Sequence, residues 1–230
     1  MFKKAVLIFS LVLNIGLSGI LAYEYIPRIA EKFGGGTVSY SDNAQYDRKV
    51  SLFEVLSENK AEVAMVGDSL TEGGRWEELF PNVKIINRGI GSDITSGVEN
   101  RISSVIKTNP EKIFLMIGIN DIALGIEQKT IYQNIENIIK KISSELPETK
   151  IYIQSVLPVA NDSINRQTIL DVNAELQEIC VLNNVTYIDL YSTFVTDSGY
   201  MNAKFCDNDG VHLNGSGYKL WSENIEKYIK

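Results

Sequence analysis

Apolar and polar positions along this chain sort into two periods. Short apolar runs at 62–67, 83–88, 113–118, 150–156 and 185–190 are bounded by polar or turn-forming residues, as buried strands are. Segments near 94–108, 129–146 and 165–183, and a last one at 215–229, repeat their apolar residues at helical spacing instead. The clearest of these places Ile131, Ile135, Ile138, Ile139 and Ile142 on one face. A further helix is predicted through Leu52, Val55 and Leu56. Strands alternating with helices predict a three-layer α/β/α sandwich around a five-stranded, mainly parallel sheet of flavodoxin-like order 2-1-3-4-5. The chain carries no internal repeat and no sign of a second globular domain.

The beginning of the chain breaks this pattern. Ala5 to Tyr23 is a run of 19 residues without a charge, preceded by Lys3 and Lys4. As a helix it would span roughly 28 Å, close to the hydrocarbon thickness of a bilayer. Residues 1–23 are therefore expected to be a retained single-pass anchor with the lysines inside the cell. The alternative is a cleaved signal peptide and a secreted protein, with the best cleavage site at Ile20-Leu21-Ala22. Residues 24–45, with Pro27 and the run Gly34-Gly35-Gly36, read as a flexible tether. The globular domain is expected over 46–230, outside the cytoplasm.

Composition narrows the chemistry. A net charge of −7 argues against nucleic-acid binding, which needs a basic face. A single histidine, His212, excludes multi-histidine metal centres and leaves one imidazole for any base chemistry. Cys180 and Cys206 form neither a disulfide framework nor a zinc pattern. Cys180, on an apolar helix face, reads as a core residue, whereas Cys206 could be reactive or paired with it. No metal and no cofactor are expected, and no particular protein partner is indicated.

Four short segments fall at the carboxyl ends of predicted strands or in loops on that side, where open α/β sheets bind ligands. They are Gly67-Asp68-Ser69-Leu70, Asn87 to Asp93, Gly118-Ile119-Asn120-Asp121, and Asp209-Gly210-Val211-His212. Taken alone, each has an ordinary explanation. Asp68, Ser69 or Thr71 could cap a helix, Asp93 could cap the 94–108 helix, and Gly89 and Gly91 could make a tight turn. Together they hold the parts of an acyl-transfer site. Ser69 would attack a carbonyl, His212 would take its proton, and Asp209 would bind the second imidazole nitrogen. The Ser69 N–H, an N–H of the 89–92 loop and the Asn120 amide are candidate donors to an oxyanion.

These blocks resemble those of the SGNH hydrolases, also called GDSL esterases and lipases. The resemblance covers roughly residues 60–230, through Gly67-Asp68-Ser69-Leu70, Gly118-x-Asn120-Asp121 and Asp209-x-x-His212, in the family's order. It implies Ser69 as nucleophile, Asp209 and His212 as the rest of a triad, and Asn120 as an oxyanion donor. One block departs from the family, because the expected oxyanion glycine falls at Ser92, with Gly91 one residue earlier. A serine N–H can also donate; if the position needs a positive φ, serine is strained there and Gly91 could take the role. Asp68, Gly91 and Asp93 are then supporting residues.

The expected activity is a metal-independent serine esterase acting on small acyl esters, with O-acetyl groups on cell-envelope carbohydrate as the favoured substrate. A lysophospholipase or acetylhydrolase acting on lipid esters is the alternative enzyme. A catalytically silent envelope binding or scaffold protein is the alternative outside enzymes.

Overall fold

Strand β1, Val63–Gly67, is buried along its whole length, as a strand inside a parallel sheet covered on both faces must be. It pairs in parallel with β2, Ile85–Gly89, on one side and with β3, Lys112–Met116, on the other. Strands β4, Lys150–Gln154, and β5, Thr186–Ile188, extend the parallel sheet to the order β2-β1-β3-β4-β5. The expected architecture and strand order are both observed. Several predicted runs overshoot their strands, because Ile117, Val156 and Leu190 stay buried after the ladder ends. An apolar run marks burial, and burial outlasts hydrogen-bonded pairing here.

The computed structural model describes residues 39–230. In chain order its α-helices are α1 (Tyr46–Val55), α2 (Ser69–Glu72), α3 (Trp76–Leu79), α4 (Thr95–Ile106) and α5 (Ile119–Ala123). They continue with α6 (Gln128–Glu145), α7 (Arg166–Leu182), α8 (Tyr191–Phe194) and α9 (Gly215–Ile229). Side chains alternate across the sheet with the strand period. Ala64, Val66, Ile113, Leu115, Ile151 and Ile153 pack with α4, α6 and α7 on one face. Val63, Met65, Phe114, Met116 and Tyr152 pack with α3, α8 and α9 on the other. All five isoleucines of the amphipathic face of α6 are buried, each contributing about 1.5–3 kcal/mol of transfer free energy.

The second face is closed by an aromatic cluster. Trp76 and Trp221 are both fully buried and meet edge to face, with ring centroids 4.8 Å apart. Each indole N–H finds an acceptor, Thr71 O at 2.9 Å for Trp76 and Gln154 Oε1 at 2.7 Å for Trp221. This contact ties the last helix to the turn that follows β1.

Cys180 and Cys206 are both buried and free, and they belong to core clusters on opposite faces of the sheet. The sheet separates them, so the pairing allowed by the sequence does not occur.

The expected anchor at 1–23 and most of the expected tether lie outside the described residues. Among the described residues no helix is long and apolar enough to cross a membrane. Residues ahead of the boundary expected near Tyr46 already pack on the domain. Ser39 caps a short 3-10 turn, Tyr40–Asp42, and the Asn43 amide donates to Gly91 O at 2.6 Å. Residues of tether-like composition thus pack onto the carboxyl edge of the sheet.

Candidate active site

The chain leaves β1 at Gly67 and turns directly into α2. Asp68 caps that helix, its Oδ1 accepting the Leu70 N–H at 3.0 Å, and Ser69 is the first helical residue. The Ser69 N–H is one of the orphan donors at a helix start, and it meets no protein acceptor among the described residues. Helix α2 lies against the end of β2 so closely that a Cβ at Gly89 would fall 2.2 Å from the Glu72 nitrogen. Only glycine permits that approach.

The far end of the chain supplies the partners. A small hairpin, closed by the Cys206–Leu213 bridge and the Asp207 N–H to His212 O bond at 2.8 Å, carries Asp209 and His212. Gly210, at φ +74°, makes the turn inside it. His212 Nε2 lies 2.9 Å from Ser69 Oγ, and its Nδ1 lies 2.6 Å from Asp209 Oδ2. Asp209 Oδ1 also accepts the Val211 and His212 N–H groups, each at 2.9 Å. The Val211 N–H, then the His212 ring and its N–H, hold the Asp209 carboxyl down at about 2. An Asp209 ionised at neutral pH is what an imidazolium beside it requires.

Asn161 braces the hairpin by donating to Asp209 O at 3.0 Å, and the Ala160 N–H reaches Gly210 O at 2.7 Å. No spacing in the sequence pointed to these contacts, which span 48 residues for Asn161.

At the carboxyl end of β3, the Asn120 amide donates to Asp93 O at 2.8 Å, which fixes its orientation at the start of α5. Asp93 does not cap α4. Its Oδ2 accepts Arg101 Nε at 2.9 Å, both side chains are fully buried, and Arg101 Nη2 reaches Gly67 O at 3.0 Å. The cap carboxylate of α4 comes from another segment: Asp121 accepts the Thr95 N–H at 3.0 Å and its hydroxyl at 2.6 Å. One guanidinium therefore links the carboxyl ends of β1 and β2. Arg101 lies among Val98, Ile102 and Val105 of α4, all fully buried. A charge on that apolar face was the available signal for its role.

Ser92 takes the left-handed conformation, φ +60°, which costs a non-glycine residue about 1–2 kcal/mol. Its N–H meets no protein acceptor among the described residues. Gly91 cannot substitute for it, because the Gly91 N–H already donates to Glu72 Oε2 at 2.6 Å. The alternative that the sequence allowed for Gly91 is thus removed by a side chain nineteen residues upstream. Among the described residues no group of three or more His, Cys, Asp or Glu is arranged to hold a metal ion.

Two acids lie buried beneath the site. Burial is the main cause that raises the Asp68 carboxyl to about 7 and Asp121 to about 6, despite the N–H and hydroxyl groups they accept from. In an unfolded chain both would titrate near about 4. Between about pH 4 and 7 the folded form therefore holds protons that the unfolded form has lost, and stability falls as pH rises. Asp209 has the opposite sign, but only below about pH 4. Thermal unfolding is expected at a higher temperature at pH 5 than at pH 8, with Asp68→Asn reducing the difference. A midpoint that is level or rises from pH 5 to 8 would contradict this account.

The chain matches the model of the GDSL-like Lipase/Acylhydrolase family over residues 65–220. It is 30% identical to rat platelet-activating factor acetylhydrolase IB subunit alpha2 over 183 residues, 75% of this chain and 77% of that protein. The human protein of that name matches with the same identity and coverage. The fold superposes on a GDSL-like lipase from Bacteroides thetaiotaomicron with TM-score 0.68 and 22% identity, covering 81% of this chain and 97% of that one. An acetyl xylan esterase gives TM-score 0.62 and 20% identity, over 73% of this chain and 99% of that one. With the family's blocks gathered at one sheet edge and its model spanning most of the folded unit, this chain belongs to the GDSL-like lipase/acylhydrolase family and is a carboxylic ester hydrolase.

Proposed function

We propose that this esterase removes short acyl groups, acetyl foremost, from an alcohol oxygen through an acyl-enzyme on Ser69. The observation that carries the proposal is the unbroken relay from Ser69 Oγ through His212 to Asp209, at 2.9 and 2.6 Å. His212 Nε2 takes the hydroxyl proton as Ser69 Oγ bonds to the acyl carbon. The carbonyl π electrons move onto oxygen, and the Ser69 and Ser92 N–H groups and the Asn120 amide receive that charge. Collapse breaks the bond to the alcohol, which leaves with the proton from His212. Water, deprotonated by the same imidazole, then releases the acid and restores the serine.

For the alcohol we favour an envelope glycan, reached by a domain held outside the cytoplasm through residues 1–23. That preference rests on the uncharged run at Ala5 to Tyr23 and the tether after it. A lipid ester is the second reading, favoured by relatives 30% identical that are named for platelet-activating factor acetylhydrolase.

A fluorophosphonate probe on the full chain, read by peptide mass spectrometry, is expected to modify Ser69 alone. p-Nitrophenyl acetate should be turned over at least ten times faster than the octanoate. Acetylated xylan or peptidoglycan should then lose acetate faster than an acetyl phospholipid. Labelling elsewhere, or none, would refute the nucleophile. Preference for the phospholipid would replace the glycan by the lipid reading.

A further inference from the structure

The turn that carries Ser92 is held from outside by groups that are not in the family's blocks. Both backbone polar groups of Gly91 are occupied, its N–H by Glu72 Oε2 at 2.6 Å and its carbonyl by the Asn43 amide at 2.6 Å. The second oxygen of Glu72 pairs with Lys49 Nζ at 2.6 Å, and both side chains are mostly shielded from water. Tyr46, on the same helix as Lys49, donates its hydroxyl to Gly97 O at 2.7 Å and so fixes that helix on α4. Asn43 and Lys49 precede the stretch that matches the family model.

The turn adjoins the nucleophile. A Cβ placed on Gly91 would lie 4.0 Å from Ser69 Cβ and 3.0 Å from Glu72 Oε2. The next residue, Ser92, is in the left-handed region that a serine leaves unless its surroundings hold it there. A carboxylate so near a developing oxyanion would oppose it, and a paired ammonium removes that opposition.

We infer that Glu72, Lys49 and Asn43 form a clamp that positions the Ser92 N–H for the oxyanion, with Lys49 cancelling the charge of Glu72. The three are positioning residues, since none is required to touch the ester. The inference rests on the acyl-transfer reading of Ser69. It adds that the segment ahead of the family's span completes the site.

The test is steady-state hydrolysis of p-nitrophenyl acetate by the full chain, with thermal unfolding measured on every variant. Glu72→Ala is expected to lower kcat about 10- to 100-fold with KM within about twofold, because an oxyanion donor acts in the transition state. Glu72→Gln keeps an amide oxygen for the Gly91 N–H and should stay within about threefold of the parent. Lys49→Met should lower kcat several-fold, and adding Glu72→Gln should return it to the Glu72→Gln level. Asn43→Ala, a small change at the edge of the domain, should lower kcat several-fold without moving KM or the unfolding midpoint. A parental kcat in Glu72→Ala, an equal loss in Glu72→Gln, or losses that appear only in KM or track unfolding would overturn the clamp. Full activity in Ser69→Ala would instead overturn the acyl-transfer reading. Inactive Ser69→Ala beside fully active Glu72→Ala would overturn the clamp alone.

Discussion

Ser69→Ala is expected to lower kcat/KM on p-nitrophenyl acetate by about four orders of magnitude, and His212→Ala by a similar factor. The two losses should not multiply. Ser69 Oγ and His212 Nε2, 2.9 Å apart, act on one proton, so removing either disables the other. The double variant should therefore be no slower than the worse single one. Asp209→Ala should cost about one to two orders less, because the Asp209 side chain is half exposed and water can partly replace it at His212 Nδ1. KM should change little in all of them, since the relay stabilises the transition state more than bound ester. A single variant that keeps a tenth of the activity, or a double variant in which the losses multiply, would mean that the relay is not the catalytic unit.

Arg101→Met is expected to have the largest effect on stability, about 3–5 kcal/mol in urea unfolding. The substitution keeps the bulk of the side chain but strips Asp93 of its partner in a site where neither side chain has any exposure. Burial already raises the Asp93 carboxyl, and Arg101 is what opposes that rise. Against a total of about 5–15 kcal/mol for a domain, the loss is a large fraction. Adding Asp93→Asn should recover part of it, because the uncompensated charge disappears. A cost below about 1 kcal/mol would show that water reaches the pair. Arg101→Met should also slow hydrolysis, since Asp93 O orients Asn120 and Arg101 binds Gly67 O, two residues before Ser69.

What the sequence disclosed about the fold follows from period and length. Helix α6 was legible because its 18 residues repeat one apolar face several times over. Helices α3, α5 and α8, of four or five residues, complete little more than one turn and leave no period to read. The site divides in the same way. Gly67 to Leu70 and Asp209 to His212 are local blocks, and the structure brings them together. Asp121 capping α4, Glu72 on the Gly91 N–H and Asn43 on the Gly91 carbonyl are contacts between segments 19 to 48 residues apart. Contacts between distant segments leave no local spacing to read. The Ser92 question shows the same limit: the sequence could say what a positive φ would imply there, but only the backbone gives the angle of +60°.

The contact between Trp76 and Trp221 has an optical consequence. These are the chain's only tryptophans, both are sealed from water, and their rings lie 4.8 Å apart. One closely follows the turn at Ser69 and the other belongs to the helix after His212, so their emission comes from the seam between the segments that carry Ser69 and His212. Undocking of α9 would wet both indoles at once, shifting fluorescence to the red and relieving any quenching of one ring by the other. The protein thus carries an intrinsic probe that distinguishes an enzyme disabled in place from one whose last helix has come away.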